Sequence, residues 1–232
     1  MFRVRLPSTR RAHCGRRWGP SPMSTTSVTT EPAVTTAEVN TCLLLARAFA
    51  LPREFSDEDP ELLRQAVSGL PAQLADSGRR LADAWEAARR DGQALDLAHA
   101  RLFLGPFEIL ASPYASTYLE PEGRLMGEVS NRVAACYAEA GLEPGRQPVE
   151  VPDHIALEWE FLYYLGYRAL ETGEAAWTDR FTRFVREHLG LWALQLAEQM
   201  RRADQHPFYN TLADFCREFT QYLLSEAGGV SH

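Results

Sequence analysis

The sequence predicts an all-α fold, and three observations carry that prediction. From Thr36 onward, apolar side chains recur at spacings of three and four residues, the signature of helices with one buried face. No window alternates polar and apolar with period two, as a half-buried strand would. Asp91-Gly92, a dipeptide suited to a hairpin turn, joins two helical patterns rather than two β-rich runs. A chain of 232 residues can bury a core without staples. The expected architecture is a single multi-helix domain, or two helical halves joined by a Pro/Gly-rich hinge near 141–152.

Residues 1–35 lack any apolar period and are rich in Arg, Ser, Thr and Pro, so they are predicted to form a disordered extension. Arg10-Arg11 and Arg16-Arg17 lie there, but no apolar run follows them as an export signal requires. The segment is a flexible extension, or translation begins at Met23. Order is predicted from Thr35-Thr36-Ala37-Glu38, a capping box leading into Val39, Leu43 and Ala46, with Pro52 preventing continuation. Asp59-Pro60 opens a short helix to Gly69. Leu74, Leu81, Trp85 and Ala88 mark a longer one, and Leu95, Ala98 and Leu102 another that stops at Gly105-Pro106. Residues 105–120 combine helix breakers with Phe107, Ile109, Leu110, Tyr114 and Tyr118, a composition that packs over the core or lines a binding surface. Met126, Val129, Val133, Tyr137 and Ala140 give the next helix, capped by Gly141.

Pro144, Pro148 and Pro152 make the following segment a candidate hinge, through which one half could exchange between protomers, giving a monomer or a hinge-swapped homodimer. The stretch Val151-Pro152-Asp153-His154-Ile155-Ala156-Leu157-Glu158-Trp159-Glu160-Phe161-Leu162 then reads as a helix start, with Pro152 at the first helical position and Asp153 in the first turn. Ile155, Trp159, Leu162 and Gly166 share one face, and His154, Glu158, Phe161 and Leu165 an adjoining one. Trp177, Phe181, Phe184, Val185 and His188 follow on one face, then a break near Gly190, a helix holding Trp192 and Leu196, and a last helix opening at Pro207. Trp159, Trp177 and Trp192 are expected in the core.

Charge and motifs exclude several functions. Residues 1–23 hold six of the 24 arginines and no acid, so the body carries 18 basic against 31 acidic side chains, a balance of −13 that disfavours nucleic acid as a partner. Arg47, Glu160, Arg168 and Glu198 interrupt every apolar run, so no membrane insertion is expected. Cys14, Cys42, Cys136 and Cys216 never form C-x-x-C, which argues against a zinc or iron–sulfur site and for a reducing compartment. No nucleophile elbow, phosphate loop or H-E-x-x-H motif occurs, so no catalytic residue and no cofactor is assigned. Asp96-x-x-His99 is the nearest approach to the repeated Glu-x-x-His of a diiron bundle and stands alone. His154 and Glu158, four apart, could supply two metal ligands, but such a pair more often forms an intrahelical hydrogen bond.

The stretch from Val151 to Leu162 resembles the signature helix of the TorD/DmsD family of cytoplasmic chaperones, the maturation proteins of molybdenum redox enzymes. Leu102-Phe103-Leu104-Gly105-Pro106, Pro113-Tyr114-Ala115-Ser116-Thr117-Tyr118, Leu125-Met126-Gly127-Glu128 and Phe184-x-x-x-His188-Leu189-x-x-Trp192 resemble its other blocks in the same order. The resemblance runs from about Thr36 to the C-terminal helix. Ala115 stands where the family usually has Glu or Gly, and Phe107 and Tyr114 replace frequent tryptophans, which alters the depth of any groove.

The resemblance implies a cytoplasmic protein that binds the twin-arginine signal peptide of a client molybdoenzyme, or the unfinished client, until its cofactor is inserted. By position it implies a peptide-binding surface of Leu102, Phe103, Phe107, Pro113, Tyr114, Tyr118, Gly127, Asp153 and His154, with Glu158 one turn below as a groove acid or a solvated charge. The bland roles stay open: Asp153 as a first-turn helix residue, His154 as a satisfied core histidine, Leu102 and Phe103 as core. Other functions remain beside it: a structural assembly subunit retained with its enzyme, or a small helical nucleotide-hydrolysing or metal-dependent enzyme using His154 and Glu158. For peptide binding, physics ranks the forces. An exposed Arg–carboxylate pair is worth about 0.2–1 kcal/mol, whereas a micromolar complex needs about 8 kcal/mol. Burying Leu or Phe at about 1.5–3 kcal/mol each can supply that, so the loop aromatics carry affinity and the acids orient.

Overall fold

The computed structural model describes residues 34–105, 108–123, 125–142 and 151–228. Residues 1–33 of the predicted extension, the alternative start at Met23, Phe107 and most of the predicted hinge lie outside the described residues; Val34 and Thr35, which the prediction also gave to the extension, are instead a core residue and the N-cap of the first helix. The fold is all-α, with no strand among the described residues, and elements from both sides of 143–150 share one hydrophobic core running from Val34 to Leu223.

Helix α1 (Thr36–Ala48) starts with the predicted capping box: Thr35 Oγ1 accepts the Glu38 N–H at 3.2 Å, and Glu38 Oε2 accepts the Thr35 N–H at 2.6 Å. The other oxygen of Glu38 accepts the Tyr222 hydroxyl at 2.8 Å, tying the start of the fold to its last helix. Helices α2 (Asp59–Val67) and α3 (Ala72–Ala88) follow at the predicted places. Helix α4 (Gly92–His99) runs on through a π-helical turn, Ala100–Leu104, to Gly105. There φ is +36°, and a Cβ would lie 2.1 Å from the Glu108 carbonyl oxygen, so only glycine turns the chain. After the single turn α5 (Ser116–Leu119) comes α6 (Glu128–Glu139), which begins later than predicted and leaves Met126 outside, at φ +58° and 72% exposed. Its first turn is capped from outside, by Glu120 Oε1 accepting the Val129 N–H at 2.6 Å. Gly127 makes the room, since a Cβ there would sit 2.7 Å from that oxygen.

Helix α7 (Ile155–Thr172) starts at Ile155, correcting the prediction that Pro152 occupies the first helical position. The residues before it are committed elsewhere: His154 is extended and caps the helix through Nδ1, which accepts the Ala156 N–H at 3.2 Å. The predicted break near Gly190 is also corrected. Helix α8 (Ala175–Phe184), a π turn (Val185–Leu189) and α9 (Gly190–Ala203) are continuous, and Gly190 is helical at φ −63°. Glycine there serves packing, because a Cβ would meet Leu224 Cδ2 at 2.7 Å and the Val185 carbonyl oxygen at 2.8 Å. Helix α10 (Pro207–Gly228) opens at Pro207 as predicted. It packs against α3 and α9, while α1 lies along α7. Trp159 and Trp192 are fully buried. Trp177 is only half-buried, with the guanidinium groups of Arg168 and Arg180 over its ring at 5.0 and 4.8 Å, which corrects its assignment to the core.

Candidate functional site

The loop before α5 and the turn that enters α7 are sewn together by backbone groups. Tyr114 and His154 form an isolated antiparallel bridge. The Ile155 N–H donates to the Pro113 carbonyl at 2.8 Å, and the Ala115 N–H to the Asp153 carbonyl at 3.0 Å. Val151 to His154 form a hydrogen-bonded turn, with the His154 N–H donating to the Val151 carbonyl at 3.0 Å, and the bridge to Tyr114 holds His154 extended, so helix α7 begins at Ile155 and not at Pro152. The Tyr137 hydroxyl adds a bond to the Pro152 carbonyl at 2.8 Å. At the junction the Tyr114 ring meets the His154 imidazole edge-on, with centroids 5.2 Å apart, and both side chains keep partial exposure.

Asp153 is fully buried beneath this junction. One carboxyl oxygen accepts the Ser116 N–H at 2.7 Å, the other the Ser130 hydroxyl at 2.7 Å. It fastens the start of α5 to α6 and to the α7 entry; it is neither a first-turn helix residue nor exposed. Tyr118 is half-buried: its ring lies 5.5 Å from Trp192, and its hydroxyl proton is shared between the Ser112 carbonyl (2.9 Å) and Gln199 Oε1 (2.8 Å). Burial pushes its phenol well above the ordinary range, so the hydroxyl stays a donor.

The remaining predicted residues divide by depth. Pro113, Leu102 and Phe103 are buried, Phe103 edge-on to His99 and Tyr209. Gly127 sits in the loop beside Glu120. Glu158 is fully buried and pairs across the fold, with Oε1 2.6 Å from His188 Nε2 and Oε2 accepting the Trp192 indole N–H at 3.0 Å. Burial raises its carboxyl, and the His188 and Trp192 contacts oppose that. The expected intrahelical pairing with His154 is thus replaced by contacts with α9 and the π turn. Ser116, Ser130, His188 and Trp192 had no site assignment from sequence. His188 and Trp192 lie in one of the family-like blocks, but their meeting with Glu158, 30 and 34 residues away, has no sequence signal.

The connecting segments before and after α5 expose large apolar side chains. Leu104, Ile109 and Leu110 precede α5, and Leu125 and Met126 follow it, at 37–72% exposure. No cluster of three or more His, Cys, Asp or Glu side chains placed to hold a metal occurs among the described residues. Fold and site together define an all-α protein with an aromatic–imidazole contact at the start of a buried helix and exposed apolar side chains on the segments before and after α5.

Residues 57–198 match the family described as nitrate reductase delta subunit, and the chain belongs to that family. It is 31% identical to the chaperone protein TorD of Vibrio parahaemolyticus over 176 residues, 72% of this chain and 77% of that one. It is 30% identical over 112 residues to a Tat proofreading chaperone DmsD assigned in Haemophilus influenzae, covering 48% and 51% of the two chains. A solved structure from Archaeoglobus fulgidus, described as a candidate redox enzyme maturation protein, is a distant likeness: TM-score 0.49 at 21% identity, over 82% of this chain and 94% of that one.

Proposed function

We propose that this chain is a cytoplasmic chaperone that binds the twin-arginine signal peptide of a molybdenum-containing oxidoreductase, or its apo form, and holds it until the cofactor is inserted. The observation that carries this reading is the set of exposed Leu104, Ile109, Leu110, Leu125 and Met126 on the segments flanking the Tyr114–His154 contact. Large exposed apolar side chains brought together mark interaction surfaces, and a leader's apolar stretch has the matching chemistry. At about 1.5–3 kcal/mol for a wholly exposed side chain, covering the exposed parts of all five supplies about 4–8 kcal/mol. That is the scale of a micromolar complex once ordering the peptide, at about 2–5 kcal/mol, is offset by further contacts.

In this arrangement Leu102, Phe103, Asp153 and Glu158 act from below, holding the loop and the helix entry, while Tyr114, Tyr118, His154 and the exposed loop residues touch the peptide. Isothermal calorimetry with a synthetic twin-arginine leader tests it. Tyr114→Ala and Met126→Ser should each weaken binding about fivefold or more, with unchanged circular dichroism. Equal affinity for wild type and both variants would refute the assignment. The family's description as a subunit favours a second reading, in which the chain stays with its enzyme. Size-exclusion of the mature oxidoreductase separates the two, because a chaperone leaves before export and a subunit co-elutes.

A further inference from the structure

On α6, α7 and the α8 end of the long helix lies a cleft of about 260 Å³ that the proposed leader site does not use. Its floor is apolar, made by Val133, Phe161, Leu165 and Phe184. Its rim is cationic: Arg132 from α6 and Arg180 and Arg183 from α8 converge on it. None of these three guanidinium groups makes an ion pair among the described residues; Arg180 rests on the Trp177 ring at 4.8 Å. Of the two acids at the rim, Glu187 is engaged by Arg186 at 2.9 Å, which leaves Glu139 against three arginines. The rim is locally positive in a body whose balance is −13 after residue 23. His188 closes the back of the cleft, and its bond to the buried Glu158 sets the ring in place.

We propose that this cleft is a second binding site, for an acidic segment of a partner polypeptide that inserts one bulky apolar side chain. Its volume falls below the roughly 300–1,000 Å³ of sites that enclose whole drug-sized ligands, and is enough for one aromatic or branched side chain with its backbone outside. Guanidinium groups at the rim match carboxylates flanking that anchor, in the planar geometry arginine offers and lysine does not. A twin-arginine leader carries the wrong charge for this rim, so the two sites select different polypeptides, or different segments of one client. The apolar floor supplies the depth and the rim supplies the choice of sign.

Fluorescence anisotropy on the full chain tests the proposal, with labelled Asp-Glu-Phe-Glu-Asp, the same peptide with central Ala, and Arg-Arg-Phe-Arg-Arg as probes. Wild type should bind the first at least tenfold tighter than either other, and less tightly as salt rises. The double variant Arg180→Glu/Arg183→Glu should lose at least tenfold for the acidic peptide and gain for the basic one. Cys136→Trp fills the cleft and keeps its charge, and should lose the acidic peptide as well. Circular dichroism and urea denaturation confirm that both variants are folded, and leader binding at the Tyr114–His154 surface should be retained in both. Equal binding of acidic and basic peptides, or charge reversal that leaves affinity within twofold, would overturn the proposal. So would phenylpropionate binding as tightly as the pentapeptide, which makes this a small-molecule site, or a dimer of this chain that the arginine variants dissolve.

Discussion

Asp153→Ala isolates what holds the candidate site together. The carboxyl group is fully buried and receives two hydrogen bonds, from the Ser116 N–H and the Ser130 hydroxyl, both at 2.7 Å. Alanine removes both and leaves a buried backbone N–H at the start of α5 without its acceptor. An orphaned buried donor costs about 1–3 kcal/mol, and the lost Ser130 bond about 0.5–1.5 kcal/mol more. The expected loss is therefore about 2–4 kcal/mol. Urea denaturation followed by circular dichroism measures it, the midpoint falling while the slope stays constant. Asp153→Asn keeps one acceptor and should cost about 1–2 kcal/mol. Ser130→Ala combined with Asp153→Ala should cost less than the two singly, because they share a bond. A loss below about 1 kcal/mol for Asp153→Ala would refute the view that this carboxyl is the fastening of the α5–α6–α7 junction. Leader affinity separates positioning from contact: a buried support tolerates Asn, whereas a residue touching the leader's arginines does not.

Two further perturbations probe the body of the fold. Burial, with His154 adding to it and Asp96 opposing, lowers the His99 imidazole to about 4, while an unfolded chain has it near 6.5. The native state thus refuses a proton that the unfolded state accepts between those values. This contribution is complete above pH 6.5 and is lost as pH falls toward 4, by up to about 3 kcal/mol. His99→Gln should flatten the difference in denaturation midpoints between pH 6.5 and 4.5, and parallel curves for variant and wild type would refute it. Gly166 lies where α7 passes α1, and a Cβ there would be 2.5 Å from Val39 Cγ2. Gly166→Ala should destabilise by about 1–2 kcal/mol, since overpacking outweighs the helix propensity gained, and calorimetry should show melting lower by about 2–6 °C.

The proposed leader site and the proposed arginine-rimmed cleft lie along one helix. His154 caps α7 at the junction, and Glu158, one turn on, anchors His188 at the back of the cleft. A shift of that helix would couple the occupancy of the two proposed surfaces. The close packing of Gly166 on Val39 makes a large shift costly.

Local signals were enough for most of the elements. The Thr35–Glu38 capping box, the start of α10 at Pro207 and the end of the fourth helix at Gly105 are each decided by neighbours within a few residues, so each can be read from spacing and residue type. The all-α class follows from the same short-range periods. Where the sequence misplaced an element, a distant partner had overruled the local preference. Pro152 would start a helix, but its segment is pulled into a bridge with Tyr114; Gly190 would end one, but its missing Cβ is used to admit Leu224. The resemblance of five short blocks put Tyr114 and His154 on one expected surface with seven other residues, and the tertiary structure sets their rings in contact. Which predicted residues face solvent was not legible, because exposure depends on what packs above each side chain. Asp153 and Glu158 look alike in sequence to surface acids, and only folding buries them against Ser116 and Ser130, and against His188 and Trp192. The sequence alone therefore determined the helices and the family, while the depth of each charge, and the cleft whose rim unites arginines from two helices, were decided by contacts between elements remote along the chain.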